Sequence, residues 1–234
     1  MRYERMLPAE IEQQLQMKPI AILPWGAFEW HGYHMAIGQD ALKAQGIADR
    51  CAEAIGALSL PVVWCGFQTM KPHAGFKHTL EFRDETVRTL AREFIEQLDD
   101  EGFKVIVIIT GHYGSLHVRG LKEVAEWYER KHPDVRVWAF PEYEVVKDLG
   151  YTGDHAGKWE TSIFMHLHPE LTDMSRYRTD LTMKEQGCGG EDPSVHASAE
   201  LGEMIVNAIV ERVAARCDEL LDAVQNPVGV ASHA

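Results

Sequence analysis

The stretch Ile20-Ala21-Ile22-Leu23-Pro24-Trp25-Gly26-Ala27-Phe28-Glu29-Trp30-His31-Gly32-Tyr33-His34 starts as an unbroken apolar run and passes within a few residues into a carboxylate and two imidazoles. A short apolar run bounded by glycine reads as a buried strand. Its counterpart, KVIVIIT over 104–110, ends in the same way, in Gly111-His112-Tyr113-Gly114-Ser115. Leu60 to Cys65 and Val135 to Phe140 read as two further strands. Helix-length stretches lie between them: 41–57 has apolar residues at helical spacing, 84–101 opens on acidic residues suited to a helix N-terminus, and 115–131 begins on a capping candidate, Ser115. Such alternation predicts one α/β domain over residues 1–234, a mainly parallel sheet flanked by helices on both faces.

After Phe140 the pattern loosens into a segment rich in Gly, Asp, Thr and His that runs to about Glu200, broken by a helix predicted over 158–168. Loops of that length in a compact domain tend to carry function. An amphipathic helix over 197–224 closes the chain, and no repeat, low-complexity tract or linker supports a second domain.

Composition narrows the partners. With 45% hydrophobic and 25% charged residues, 234 residues can bury a sizeable core. A formal net charge of -13 argues against nucleic acid and anionic lipid, both of which need clustered Lys and Arg, so a small molecule is the expected partner. Cys51, Cys65, Cys188 and Cys217 lie far apart with no CxxC pair and read as reduced structural thiols. The first residues lack the apolar core of a signal peptide, and no apolar run approaches the roughly 20 residues of a membrane span. A cytoplasmic location is expected.

Open parallel sheets bind ligands beyond the carboxyl ends of their strands, and polar groups concentrate there in this sequence. Glu29 and His31, two residues apart, project to one side of an extended segment, Asp40 can return at the start of the next helix, and His112 follows the neighbouring strand. Carboxylates and imidazoles in this mixture suit zinc, manganese or ferrous iron, and a shared carboxylate can bridge two ions. Taken singly, Glu29 and His31 could be exposed loop residues and Asp40 a helix cap; their convergence carries the metal reading. A third cluster is Gly153-Asp154-His155-Ala156-Gly157-Lys158-Trp159-Glu160-Thr161-Ser162. Glu160 falls in the first turn of a helix, where it either caps or points into a pocket. His155 can transfer a proton near neutral pH, with Asp154 orienting it or acting as a base.

Together these clusters resemble the creatininase (creatinine amidohydrolase) family, whose pattern runs G-S-x-E-Q-H-G-x-H-L-P, an Asp, G-H-x-x-N and H-A-G-x-x-E-T-S. The corresponding stretches here are GAFEWHGYHMAIGQD, TGHYGSLH and GDHAGKWETS, and GCGGEDPSVHASAELGE resembles a fourth family segment, so the likeness extends over roughly residues 20 to 203. The resemblance implies that Glu29, Asp40 and His112 hold one divalent ion and that His31 and Asp40 contribute to a second, with Asp40 bridging. A water shared by the ions would attack the substrate and His155 would protonate the leaving group. Glu160 is either a supplementary metal ligand or the group that holds the water and His155. A homo-oligomer, often a hexamer, is also implied.

Creatininases proper carry a Glu two residues after the histidine that corresponds to His112, where this chain has Gly114, so one or two ions per chain are expected. Trp30, Ser115 and Met35-Ala36 also replace the family's Gln, Asn and Leu-Pro. The expected reaction is hydrolysis of a cyclic amide, formamide or related C-N bond. The alternatives are hydrolytic C-C ring cleavage of a cyclic polyol diketone, as in 3-dehydro-scyllo-inosose hydrolases, and a non-catalytic metal-dependent binding protein. Lys71, His73, Lys77 and His78 lie in a segment that either binds an anionic or polyhydroxylated substrate or is a solvated basic loop. Trp25, Trp30, Tyr113 and Trp159 either line the pocket or belong to the core.

Overall fold

The computed structural model describes residues 1–226. Strands β1 (Ile20–Gly26), β2 (Leu58–Ser59), β3 (Val63–Trp64), β4 (Val105–Thr110) and β5 (Arg136–Pro141) form one sheet in which every pairing is parallel. Its order is β2-β1-β4-β5, with β3 also on β1. The helices are α1 (Pro8–Met17), α2 (Gln39–Ile55), α3 (Lys71–Ala74), α4 (Asp84–Asp100), α5 (Ser115–Glu129), α6 (Lys158–Leu167), α7 (Pro193–His196) and α8 (Ala199–Gln225). The predicted α/β architecture is the observed one.

Both central strands are buried along their whole length, which explains their continuous apolar runs. Because side chains alternate across a strand, Ile20, Ile22, Val105, Val107 and Ile109 pack on one face against Ile47 and Cys51 of α2 and Ile205, Ile209 and Val213 of α8. Ala21, Leu23, Trp25, Ile106 and Ile108 pack on the other, against Val87, Ala91 and Ile95 of α4 and Leu121, Val124 and Tyr128 of α5. The spacing of those helical residues by three and four is the stripe read from the sequence.

The strand expected over 60–65 is replaced by two short pieces. Pro61 has no N–H for the ladder, and the Gln45 side chain takes over there, accepting from the Val62 N–H at 2.8 Å and donating to the Leu60 carbonyl at 3.3 Å. Ser115 is the first residue of α5 rather than its cap. The Gln68 side chain caps instead, accepting from the Leu116 N–H at 2.5 Å. α1 was not expected; Pro8 stands at its first turn and the Glu10 carboxylate accepts from the Leu7 N–H at 2.8 Å. All four cysteines are buried and unpaired. Among the described residues no helix is long and apolar enough to cross a membrane.

Candidate active site

Parallel pairing in register, Ile20 with Val105 through Trp25 with Thr110, brings the ends of β1 and β4 to one rim. Glu29 and His31 follow β1, His112 follows β4, Asp40 lies in the first turn of α2 and Glu160 in the first turn of α6. All five are at least 96% buried. α2 presses directly on the end of β4: a Cβ at Gly111 would overlap the Asp40 carbonyl, so only glycine lets the carboxylate come this close.

Asp40 divides its two oxygens between two groups. His112 Nδ1 lies 3.0 Å from Glu29 Oε2 and 3.3 Å from Asp40 Oδ2, while His31 Nε2 lies 3.0 Å from Asp40 Oδ1 and 3.4 Å from Glu160 Oε2. Two triads therefore share Asp40, namely Glu29/Asp40/His112 and His31/Asp40/Glu160, and a third group is Glu29/His31/His155. Their ligand atoms lie within 4.8 Å of one another in each group. Each imidazole is oriented through its far nitrogen: with the tautomers those contacts require, His112 Nε2–H donates to the Phe67 carbonyl at 2.9 Å and His31 Nδ1–H to the Glu29 carbonyl at 3.0 Å. The nitrogens left over face the carboxylates.

The charges reinforce one another. Burial opposes protonation of both rings, yet Asp40 and Glu160 around His31, and Asp40 and Glu29 around His112, outweigh it; His31 is held well above the ordinary range and His112 at about 10. Burial likewise opposes ionisation of Asp40 and Glu160, but His31 and His112 beside Asp40, and Lys43 and His31 beside Glu160, keep both carboxyls below their usual range. Among the described residues Asp40 Oδ2 is buried and accepts no hydrogen bond, its 3.3 Å approach to His112 Nδ1 being an ion-pair contact only. A carboxylate oxygen left bare among imidazoles is what a divalent cation would satisfy, and the N/O donors of both triads fit zinc, manganese or iron.

His155 Nε2–H donates to the Trp30 carbonyl at 2.9 Å, its ring centre lies 4.1 Å from that of His31, and burial with the nearby His31 charge lowers its pKa. Asp154 does not orient it. Its carboxylate accepts from the Trp159 N–H at 2.8 Å and the Glu160 N–H at 3.1 Å, serving the N-terminus of α6, and burial followed by the Glu160 charge raises it to about 7. Glu160 Oε2 accepts from the Ala156 N–H at 2.8 Å, so Glu160 both braces this turn and faces the pocket.

The pocket at these residues has a volume of about 190 Å³, and its walls include Gln68, Tyr113, Asp154 and His155. Trp159 is absent from them. It stacks on Tyr151 at 5.3 Å in the core, because the turn that aims Glu160 inward sends its neighbour the other way. Trp25 is likewise core, its Nε1–H donating to the Cys65 carbonyl at 2.6 Å. His78 is exposed and, instead of lining this pocket, lines a separate groove of about 950 Å³ with Trp30, Tyr33, Lys77 and Glu185. His73 lies on α3, and its side chain is outside the described residues.

Lys43 and Glu142 went unnoticed in the sequence, and both are fully buried. Lys43 Nζ lies 2.5 Å from Glu160 Oε1, 2.9 Å from Glu142 Oε1 and 2.6 Å from the Tyr113 hydroxyl, which also meets Glu142 and Tyr151. Burial works against its charge, but Glu142, Glu160 and Asp40 hold the ammonium above the ordinary lysine range. A signal was available: Lys43 follows Asp40 by three residues on the apolar face of α2, and Glu142 directly follows a strand. Gly114 has its own reason. A Cβ there would lie 2.8 Å from the Gln68 carbonyl, 2.9 Å from His112 Nε2 and 2.9 Å from the Phe67 carbonyl, so the space of a side chain is taken by the backbone that orients His112.

A parallel sheet with this acid and imidazole centre at its carboxyl rim is the build of a metal-dependent hydrolase of the amidohydrolase type. The family model described as creatinine amidohydrolase matches residues 4–217. This chain belongs to the creatininase family. It is 27% identical to creatinine amidohydrolase of Pseudomonas putida, over 83% of this chain and 87% of that one. It is 25% identical to the mycofactocin precursor peptide peptidase of Mycolicibacterium smegmatis, over 84% and 85% of the two chains. Among solved structures, creatinine amidohydrolase superposes with a TM-score of 0.79 at 25% identity, covering 93% of this chain and 96% of the other. A structure named Creatininase Mn gives 0.78 at 25% identity, with 93% and 97% covered.

Proposed function

We propose that this chain hydrolyses a C-N bond of a small molecule, a cyclic amide, formamide or related group, with Glu29, Asp40 and His112 holding one divalent ion and His31, Asp40 and Glu160 a second. The observation that carries the reading is the pair of triads sharing Asp40, one of whose oxygens is otherwise unpartnered. The manganese and zinc–zinc forms among the similar creatininase structures support it. Ions at these positions would supply positive charge that acidifies water and polarises a carbonyl. The remaining work falls to this chain's own groups. With Nε2–H committed to the Trp30 carbonyl, His155 keeps its Nδ1 lone pair free, and a ring held neutral can take a proton there and pass it to a leaving nitrogen. Asp154 holds the first turn of α6, and with it Glu160. Phe76, 5.2 Å from the Trp30 ring and 5.6 Å from that of His155, packs behind His155. A cavity of about 190 Å³ lies below the range of roughly 300–1,000 Å³ typical of drug-sized ligands, which favours a small substrate.

A longer, peptide-like amide is the second reading, favoured by the larger groove lined by Trp30, whose carbonyl holds His155, and by the peptidase among the relatives. Four unpaired buried thiols fit a reducing cytoplasmic setting, and exposed Leu7, Met17, Val195 and Met204 fit a homo-oligomer. The test is elemental analysis of metal-replete protein, followed by assays on cyclic amides, formamides, short peptides and inositol-derived diketones. Two ions per native chain, none held tightly by Asp40→Asn and one by Glu160→Gln, with amine or formate released, is the expected result. Absence of any specific ion, or ring opening without release of nitrogen, would overturn it.

A further inference from the structure

A fully buried lysine needs a reason, since taking an ammonium out of water costs several kcal/mol unless partners surround it. Lys43 has three partners, and they are placed asymmetrically with respect to the two triads. Its ammonium lies on Glu160 Oε1, leaving only Oε2 toward His31, while Glu142 holds it from another direction and the Tyr113 hydroxyl from a third. Among the described residues no ammonium or guanidinium pairs with Glu29: its Oε1 accepts from the Met70 N–H and its Oε2 faces His112. Lys43 is fully buried and is not among the residues that line the pocket. Its direct contact with the metal-type carboxylates is with Glu160, where it is a fixed positive charge at one end of a carboxylate whose other end faces His31, while Asp40 feels the same charge from farther off.

We infer that Lys43 is a resident cation that competes with the second metal ion for Glu160 and thereby sets that ion's affinity below the first ion's. The inference rests on the proposed reading that Glu160 is a ligand of the second ion. Glu142 then acts as a counterweight. It draws the ammonium away from Glu160, and its second oxygen has no hydrogen-bond partner. The two residues therefore have opposite effects on the same ion. Removing Lys43 frees Glu160 for metal, whereas neutralising Glu142 hands the ammonium more completely to Glu160.

The experiment is titration of metal-free protein with manganese against a chromophoric chelator, with elemental analysis after gel filtration, on the native chain, Lys43→Met, Glu142→Gln and Glu160→Gln. One unit charge acting on a divalent ion across a few ångströms supports a change of about tenfold even at the dielectric constant of water, and more at a buried site. Lys43→Met is expected to tighten the second ion by at least about that factor and Glu142→Gln to loosen it comparably, with the first ion, which shares only Asp40 with this charge, changed less in both. A lysine that merely stabilised the fold would weaken both ions when removed. Unchanged or weaker second-ion binding in Lys43→Met, with two ions in the native chain and one in Glu160→Gln, overturns the inference and leaves the binuclear reading intact. A single ion in all four proteins, even in excess manganese, overturns the reading and the inference together. If Lys43→Met does not fold, Glu142→Gln decides: a second ion held as tightly as in the native chain, or more so, refutes the competition.

Discussion

Gly114→Ala adds one methyl group at the place where creatininases proper carry a glutamate, and the surroundings specify its cost. The backbone there, with φ -47° and ψ 119°, has a negative φ at the margin of the β region, so it is not the left-handed conformation that demands glycine. The cost is steric. The new Cβ would lie 2.8 Å from the Gln68 carbonyl and 2.9 Å from both the Phe67 carbonyl and His112 Nε2, closer than carbon approaches nitrogen or oxygen without displacing them. Two of these three neighbours are backbone atoms and the third is a buried ring, so relief means moving the 67–68 backbone away from His112. Overpacking of this kind costs about 1–3 kcal/mol, and losing the bond from His112 to Phe67 adds ~1 kcal/mol. The expected loss is therefore roughly 2–4 kcal/mol in urea unfolding of the metal-free protein. Because that bond also orients the His112 ring, affinity for the first ion should fall about 10- to 100-fold, as when other supports of metal ligands are removed. Gly114→Glu should fare no better, since its Cβ meets the same atoms. A Gly114→Ala protein with native stability and native metal affinity would refute the claim that Phe67 and Gln68 occupy this space.

The sheet and its flanking helices were legible because apolar periodicity reports burial directly: residues 105–109 are apolar without a break because both faces of β4 are covered. The edge was less legible. Whether residues 58–65 pair continuously depends on Pro61 and on the reach of Gln45 from α2, a tertiary contact that no local pattern encodes. The metal-type residues were readable because each stands at a strand end or helix start and because their order follows a family motif. Lys43 was harder to read: its place on the apolar face of α2 is a signal, but a lone lysine in a helix normally points to water, and the two carboxylates that meet it come from distant parts of the chain. Trp159 and Asp154 show the limit of reading by adjacency. Both neighbour His155 and Glu160 in the chain, but the first turn of α6 turns Trp159 into the core and aims Asp154 at backbone N–H groups.

Two further outcomes follow from the electrostatics. Replacing His155 by Gln removes the free ring nitrogen while leaving both metal triads untouched, so metal content should stay native while kcat falls about 10²- to 10⁴-fold; loss of bound metal along with activity would instead make His155 a ligand. The pH dependence of the metal-free protein follows from the imidazoles. An unfolded histidine titrates near 6.5, whereas folded His112 is held at about 10 and His31 is raised in the same direction. Groups raised on folding stabilise fully below the unfolded value and lose that contribution as pH climbs through the folded one, so urea midpoints should decline between about pH 6.5 and 10. Asp40 and Glu160 are shifted oppositely; their contribution is present above the unfolded carboxyl range and fades as pH falls through their lowered values. Ligation by metal requires neutral rings, so binding near neutral pH must expel the protons that His31 and His112 carry. Adding manganese should therefore abolish the alkaline decline, and titration calorimetry in buffers of different ionisation enthalpy should register proton release. An identical alkaline decline with and without manganese would mean that these two imidazoles do not hold the ions.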